Sequence, residues 1–311
     1  KHGLSGKDSV RIADGTYNIT VGTDGIHGDN DEDSGKGFVY ICGGTFNIDA
    51  GDDGIHSSQN LSILDGTINI SNSYEGLEGL CIDISGSTIN LTANDDGLNA
   101  AGGTDNSQSG GSQGNDIFAV TEGAYINISG GYLRVNASGD GLDSNGDLVI
   151  SGGEIYVSGP TSDGNGTLDY NGTATVTGGT LVGAGSSGME QNFTTADQGV
   201  ILTEVSNGTA GSIISLSDED SNELVSWAAD KEYTSVIIST PDIKEGSTYT
   251  VTTNGTTTEI TMSSLIYGSA NTNAPGGNGG GPGTGGNDSN GGTPPDGNGG
   301  GTPPDRSNGN P

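Results

Sequence analysis

Between Val10 and Gly183 apolar residues alternate with polar ones in short paired runs. The pairs Val10/Ile12, Val39/Ile41, Leu61/Ile63, Ile82/Ile84, Ile126/Ile128, Leu148/Ile150 and Ala174/Val176 each lead to an anchor position, at Gly15, Gly44, Gly66, Ser87, Gly131, Gly153 and Gly179. Beyond the anchors come Tyr17/Ile19, Phe46/Ile48, Ile68/Ile70, Ile89/Leu91, Leu133/Val135, Ile155/Val157 and the weaker Leu181/Gly183. Period-two alternation predicts two short strands per repeat, each with one buried face. The Gly-Gly or Asp-Gly at the anchor turns the corner between them. No stretch has helical periodicity.

A second recurrence follows each anchor. Thr23-Asp24-Gly25-Ile26-His27, Asp52-Asp53-Gly54-Ile55-His56, Tyr74-Glu75-Gly76-Leu77-Glu78, Asp95-Asp96-Gly97-Leu98-Asn99 and Gly139-Asp140-Gly141-Leu142-Asp143 are copies of one acidic phrase. With His2 before them and Asp163 after, the steps are 22, 29, 22, 21, 44 and 23 residues. A coil of about 22 residues is an ordinary β-solenoid period. The long steps hold an acidic insertion at residues 29–33 and a Gly/Ser loop at residues 102–116. The expected fold is all-β: a right-handed parallel β-helix over residues 1–193. A small antiparallel β cap follows over 194–267, with strands near Gly199–Thr203, Ser212–Leu216, Ser235–Ser239 and Thr248–Thr252. Residues 268–311 carry seven of the nine prolines and read as a disordered Gly/Pro/Asn-rich tail.

Outward positions also align. Thr16, Thr45, Thr67 and Thr88 form one row, and Asn18, Asn47, Asn69 and Asn90 another. Stacked asparagines hydrogen-bond along a cross-β direction, which makes a structural ladder the favoured reading. The sharper alternative is a flat face that binds an ordered surface such as ice or a polysaccharide.

Charge narrows the partners. The chain has 8 Lys+Arg against 40 Asp+Glu, a formal net charge of -32. Nucleic acid needs a basic stripe, and none exists here. No apolar run is long enough for a membrane span. Cys42 and Cys81 fall at different points of the repeat, so a disulfide between them is not expected. The sequence begins inside a repeat, at Lys1-His2-Gly3-Leu4, so the lack of a leader carries no information.

The acidic phrases carry the candidate chemistry. Successive coils of a parallel β-helix lie about 4.8 Å apart. Two unit charges at that distance repel by about 0.9 kcal/mol in water and about 3.5 kcal/mol at an effective dielectric of 20. Asp24, Asp53, Glu75 and Asp96 sit on consecutive coils, so their ladder predicts bound cations. Hard oxygen donors point to several Ca2+ ions. Asp52, Asp53 and His56, with Asp24 one coil earlier, form one candidate group. Asp95, Asp96 and Asn99, with Glu75 and Glu78 one coil earlier, form another, and Asp140 and Asp143 supply the next level. His27 and His56 are possible zinc ligands, but they stand among many carboxylates. The plainer reading is that Asp-Gly makes a turn in which the carboxylate caps backbone amides.

Ser73–Gly79, Asp95–Gly103, Gly139–Asp147 and Gly185–Met189 together resemble the secreted carbohydrate-binding β-helix proteins of cellulolytic anaerobic bacteria. That family binds cellulose and polygalacturonate, binds calcium, and resembles family 9 polysaccharide lyases in fold. The resemblance covers roughly residues 1–267. It implies calcium ligands among Asp24, Asp52, Asp53, Glu75, Glu78, Asp95, Asp96, Asp140 and Asp143. It also implies a secreted, non-catalytic protein that binds acidic plant cell-wall polysaccharide through calcium, and a monomer is expected. A calcium-dependent lyase is the main alternative. It needs a basic residue beside the metal to remove a proton. Between Gly37 and Asp230 the only Lys or Arg is Arg134, on the asparagine row; Lys7 and Lys36 are the remaining candidates.

Overall fold

The computed structural model describes residues 1–30, 32–101 and 119–269. The predicted Gly/Ser loop, and the tail from residue 270 onward, lie outside the described residues. The described chain is all-β, with strands in three sheets and no helix.

Each repeat pairs in parallel with the next, and the register follows the apolar rows. Val39 stands beside Leu61, Leu61 beside Ile82, Ile82 beside Ile126 and Ile126 beside Leu148. Phe46, Ile68, Ile89, Leu133 and Ile155 form a parallel row. These side chains are at most 1% exposed and make up the central core. The 29- and 44-residue steps leave the core rows in register.

The corner between the two predicted strands is gentler than a chain break. Phe38–Ala50, Asn60–Asn72 and Tyr125–Ala137 each run as one 13-residue strand through the anchor, with a register shift at the glycines. Gly44 has φ 105°, which side-chain-bearing residues rarely adopt, and a Cβ there would lie 3.1 Å from the carbonyl oxygen of Gly15 one coil earlier.

A third strand, invisible to periodicity because it is so short, lies on the acidic phrase itself. Leu4–Gly6, Ile26–Gly28, Ile55–Ser57, Leu77–Glu78, Leu98–Ala100, Leu142–Ser144 and Leu168–Tyr170 form a seven-stranded, wholly parallel sheet. Its inward Ile and Leu complete the core, Ile26, Ile55, Leu77, Leu98, Leu142 and Leu168 being fully buried.

The first half of Ala174–Gly185 still pairs in parallel, with Thr195–Ala196, while its second half pairs antiparallel with Tyr233–Thr240. That strand pairs in turn with Gly199–Gly208. A separate four-stranded antiparallel sheet is ordered Glu223–Ala228, Ile213–Ser217, Thr248–Thr253, Thr256–Thr261. Its apolar face packs with Val182, Ile201 and Ile238 in a second core cluster. The edge of the last parallel coil is thereby paired rather than left open. Trp227 is half-buried and stacks on Tyr156, with ring centroids 5.7 Å apart. Both cysteines are free, as expected.

Candidate metal column

The phrase glycine brings successive coils close. Gly25, Gly54, Gly76 and Gly97 each donate their N–H to the carbonyl of the next coil's acidic residue: Asp53, Glu75, Asp96 and Asp140. At Gly76 a Cβ would come within 2.3 Å of the Gly97 carbonyl oxygen. Two rows of polar side chains flank this glycine row. One is His2, Asp24, Asp53, Glu75, Asp96 and Asp140, and the other is Ser5, His27, His56, Glu78, Asn99, Asp143 and Asp169.

The first row keeps its expected spacing as far as Asp140, and then slips. Gly141 donates to the carbonyl of Gly166, so Gly166 takes the place assigned above to Asp163. Asp163 instead accepts a hydrogen bond from Ser186. The true step is longer because residues 159–165 form an excursion whose extra residues carry no apolar marker. The same slip brings in Asp169, which lies opposite Asp143 and was not singled out by spacing.

Three donor groups lie along the predicted column. The ligand atoms of Asp24, Asp52 and Asp53 fall within 4.8 Å of one another, as do those of Asp53, His56 and Glu78 and those of Asp96, Asp140 and Asp143. At this spacing one cation can be held by three side chains. Glu75 and Asp95 stand beside these groups. The Glu75 Oε2 is buried without a hydrogen-bond partner, and the Tyr74 hydroxyl bonds to Asp95, which helps push that phenol up to about 12.

The turn-capping reading is also present. Asp53 Oδ1 accepts from the Glu75 N–H at 3.3 Å, Asp96 Oδ1 from the Asp140 N–H at 2.6 Å, and Asp140 Oδ1 from the Gly166 N–H at 2.5 Å. One oxygen of each carboxylate ties its coil to the next.

Electrostatics divide the column. Burial alone would raise the Asp24 carboxyl, but His27, His56 and His2 outweigh it and hold it below the usual range. His56 is desolvated, which disfavours its charge. Its contacts with Asp53, at 3.3 Å, and Glu78 overcome this and lift it to about 11. Further along no imidazole helps. Burial and the Glu78 and Asp53 charges push Glu75 up to about 10. Burial and neighbouring carboxylates raise Asp96 to about 7 and Asp140 to about 8, and Asp143 well above the usual range. Without a cation this stretch holds its charge only at high cost.

The donor set fits calcium. The carboxylates are hard oxygen ligands. Asn99 is 7% exposed, and its Oδ1, a further oxygen donor beside Glu75, is buried with no hydrogen-bond partner.

Other surfaces carry different chemistry. The asparagine row is a hydrogen-bonded ladder: Asn47 donates to Asn18 at 2.9 Å, Asn69 to Asn47 at 3.2 Å and Asn90 to Asn69 at 3.4 Å. Arg134 continues that row, as expected, and pairs with Asp230. Lys7 is paired with Glu32, and Lys36 with Asp8 and Asp33. Arg11 instead lies over the Phe38 ring, 4.8 Å from its centroid, in a groove of about 390 Å³ lined also by Tyr40 and Cys42.

Among the described residues no helix is long and apolar enough to cross a membrane. Neither curated proteins nor solved structures offer a match to the chain. Residues 1–164, just over half of the 311-residue chain and the part that holds every acidic phrase, match a family described as carbohydrate-binding domain-containing protein, and the chain belongs to that family.

Proposed function

We propose that this is a secreted, non-catalytic, calcium-dependent binder of acidic plant cell-wall polysaccharide, polygalacturonate first and cellulose second, acting as a monomer. We read its fold as a right-handed parallel β-helix closed by the antiparallel sheet. The observation that carries the function is the joining of a carbohydrate-binding family to a column of converging, cation-deficient carboxylates. A chain of net charge -32 repels a polyuronate. Calcium held by part of its coordination shell supplies the missing attraction, because a uronate carboxylate can enter as a further oxygen ligand.

The column favours some positions over others for that contact. Asp53, His56 and Glu78 are each at most 4% exposed, so a cation there is enclosed by protein. Asp52, Asp96 and Asp143 are half-buried rather than fully enclosed and are the positions assigned to bridging. The groove of Arg11, Phe38 and Tyr40 offers an aromatic face and a cationic group to a sugar ring that carries a carboxylate. Support for binding over β-elimination comes from the bases: Lys7, Lys36 and Arg134 are each paired with carboxylates. Support over an ice-binding face comes from the asparagine amides, which are spent on one another.

The test is retention on immobilised polygalacturonate with calcium and after chelation. Retention should be lost on chelation and restored by added calcium; retention untouched by the chelator overturns the bridging. New absorbance from unsaturated oligogalacturonides would replace binding with lyase activity.

A further inference from the structure

The oxygen column ends, at its first coils, in nitrogen donors. His2 Nδ1 lies 2.9 Å from Asp24 Oδ2, and His27 Nδ1 lies 2.5 Å from the same oxygen. The ligand atoms of all three residues are within 4.8 Å of one another. We propose that His2, Asp24 and His27 form a site for a zinc-type divalent cation, chemically unlike the all-oxygen groups, one of which shares Asp24.

Donor atoms this close require positive charge between them, which a proton or a metal can supply. The His27 Nδ1 atom is buried and faces the Asp24 carboxylate. The His2 and His27 imidazoles stack with centroids 3.9 Å apart and planes 20° from parallel, which sets two nitrogen donors side by side.

His56, one coil on, supplies the contrast. Its Nδ1 hydrogen-bonds to Glu78 and lies 3.3 Å from Asp53, so it faces two carboxylates. At His27 the equivalent nitrogen faces Asp24, with His2 on the other side of the same oxygen.

The donor set selects the metal class. Imidazole nitrogen suits zinc, nickel and copper, whereas calcium takes oxygen. Two imidazoles and one carboxylate give three protein ligands and leave a further position for water. Thr23 Oγ1 lies 3.4 Å from His2 Nδ1. The Asp24 side chain is 6% exposed, whereas that of His2 is 35% exposed, which gives an ion a way in.

The test uses the full chain, stripped with chelator and dialysed. It is titrated with Zn2+ by calorimetry and with Co2+ by visible absorption, both in millimolar Ca2+. The expected result is one equivalent of Zn2+ or Co2+ that excess calcium does not displace. His2→Ala and His27→Ala should each weaken it at least tenfold. The calcium-dependent rise in melting temperature should persist in both variants, which shows that they are folded; His2→Ala, at the exposed end, serves if His27→Ala does not fold. Absence of zinc binding in the unmodified chain, full displacement by calcium, or unchanged affinity in the folded variants overturns the site. Polygalacturonate retention is read separately, so this proposal and the polysaccharide reading fail independently.

Discussion

The two ends of the acidic column solve one electrostatic problem in different ways. In the first three coils each pair of polar positions contains an imidazole: His2, His27 or His56. From Glu75 onward there is none, and Glu78, Asn99, Asp143 and Asp169 take those places. The consequence is opposite in sign. Asp24 is held below the usual carboxyl range by its histidines, while Asp96, Asp140 and Asp143 are driven above it by burial and by one another. One half carries its own countercharge; the other must recruit it from solution. The same backbone repeat therefore supports two chemistries, and the difference rests on single side chains three positions along the phrase.

The comparison is broken most directly by removing calcium. At free calcium 1,000 times the dissociation constant, one site stabilises the fold by about 4 kcal/mol. Chelation should then lower the melting temperature by roughly 10 °C for each occupied site, as calorimetry would show. A melting temperature indifferent to chelator would remove the distinction between the halves.

The next test removes, without calcium, the carboxylate that reaches back to His56 and one that has no histidine beside it. Glu78→Ala takes a partner from the buried, charged His56 and should cost about 3 kcal/mol in denaturant unfolding. Asp96→Asn keeps an acceptor for the Asp140 N–H but removes a repelling charge. It should be neutral or stabilising by about 1 kcal/mol in chelator, and should lose most of the response to calcium. Equal losses in both variants would mean that the halves do not differ.

A pH series sharpens the same point. In the metal-free chain Asp96, Asp140 and Glu75 titrate near 7, 8 and 10, above their unfolded values of about 4. His56 titrates near 11, against about 6.5 unfolded. Over these windows the folded state binds more protons than the unfolded one. Stability must therefore fall as pH rises from about 4 to 10, by about 1.4 kcal/mol per pH unit for each excess proton. Saturating calcium should flatten the carboxyl part of this slope, as denaturant midpoints across pH would report. The smallest effect expected is for Asn47→Ala. It interrupts the exposed amide ladder and should cost about 1 kcal/mol, with polygalacturonate retention unchanged.

Much of this architecture can be read from the chain. Period-two alternation at Val39/Ile41 or Ile155/Val157 marks residues that face a core on every coil, and a repeat of such pairs must stack to bury them. The acidic phrase is legible because its glycine recurs with it, and that glycine is required where Gly76 meets the Gly97 carbonyl. The third strand was not legible, since three residues such as Ile55–Ser57 are too few to show a period. Nor was the slip from Asp163 to Gly166, because an excursion without apolar markers does not say where the stack resumes.

By itself the sequence determined the stacking of coils, the inward rows and the existence of a polar column, because these follow from local alternation repeated at a near-constant interval. Tertiary structure alone decided which side chains share a charge. Glu78 meets His56 across a gap of one coil, His2 and His27 converge on one Asp24 oxygen, and Asp169 joins Asp143 only after the slip is known. Whether a carboxylate keeps its charge depends on burial and on neighbours about twenty residues away along the chain, and that distance closes only when the coils stack.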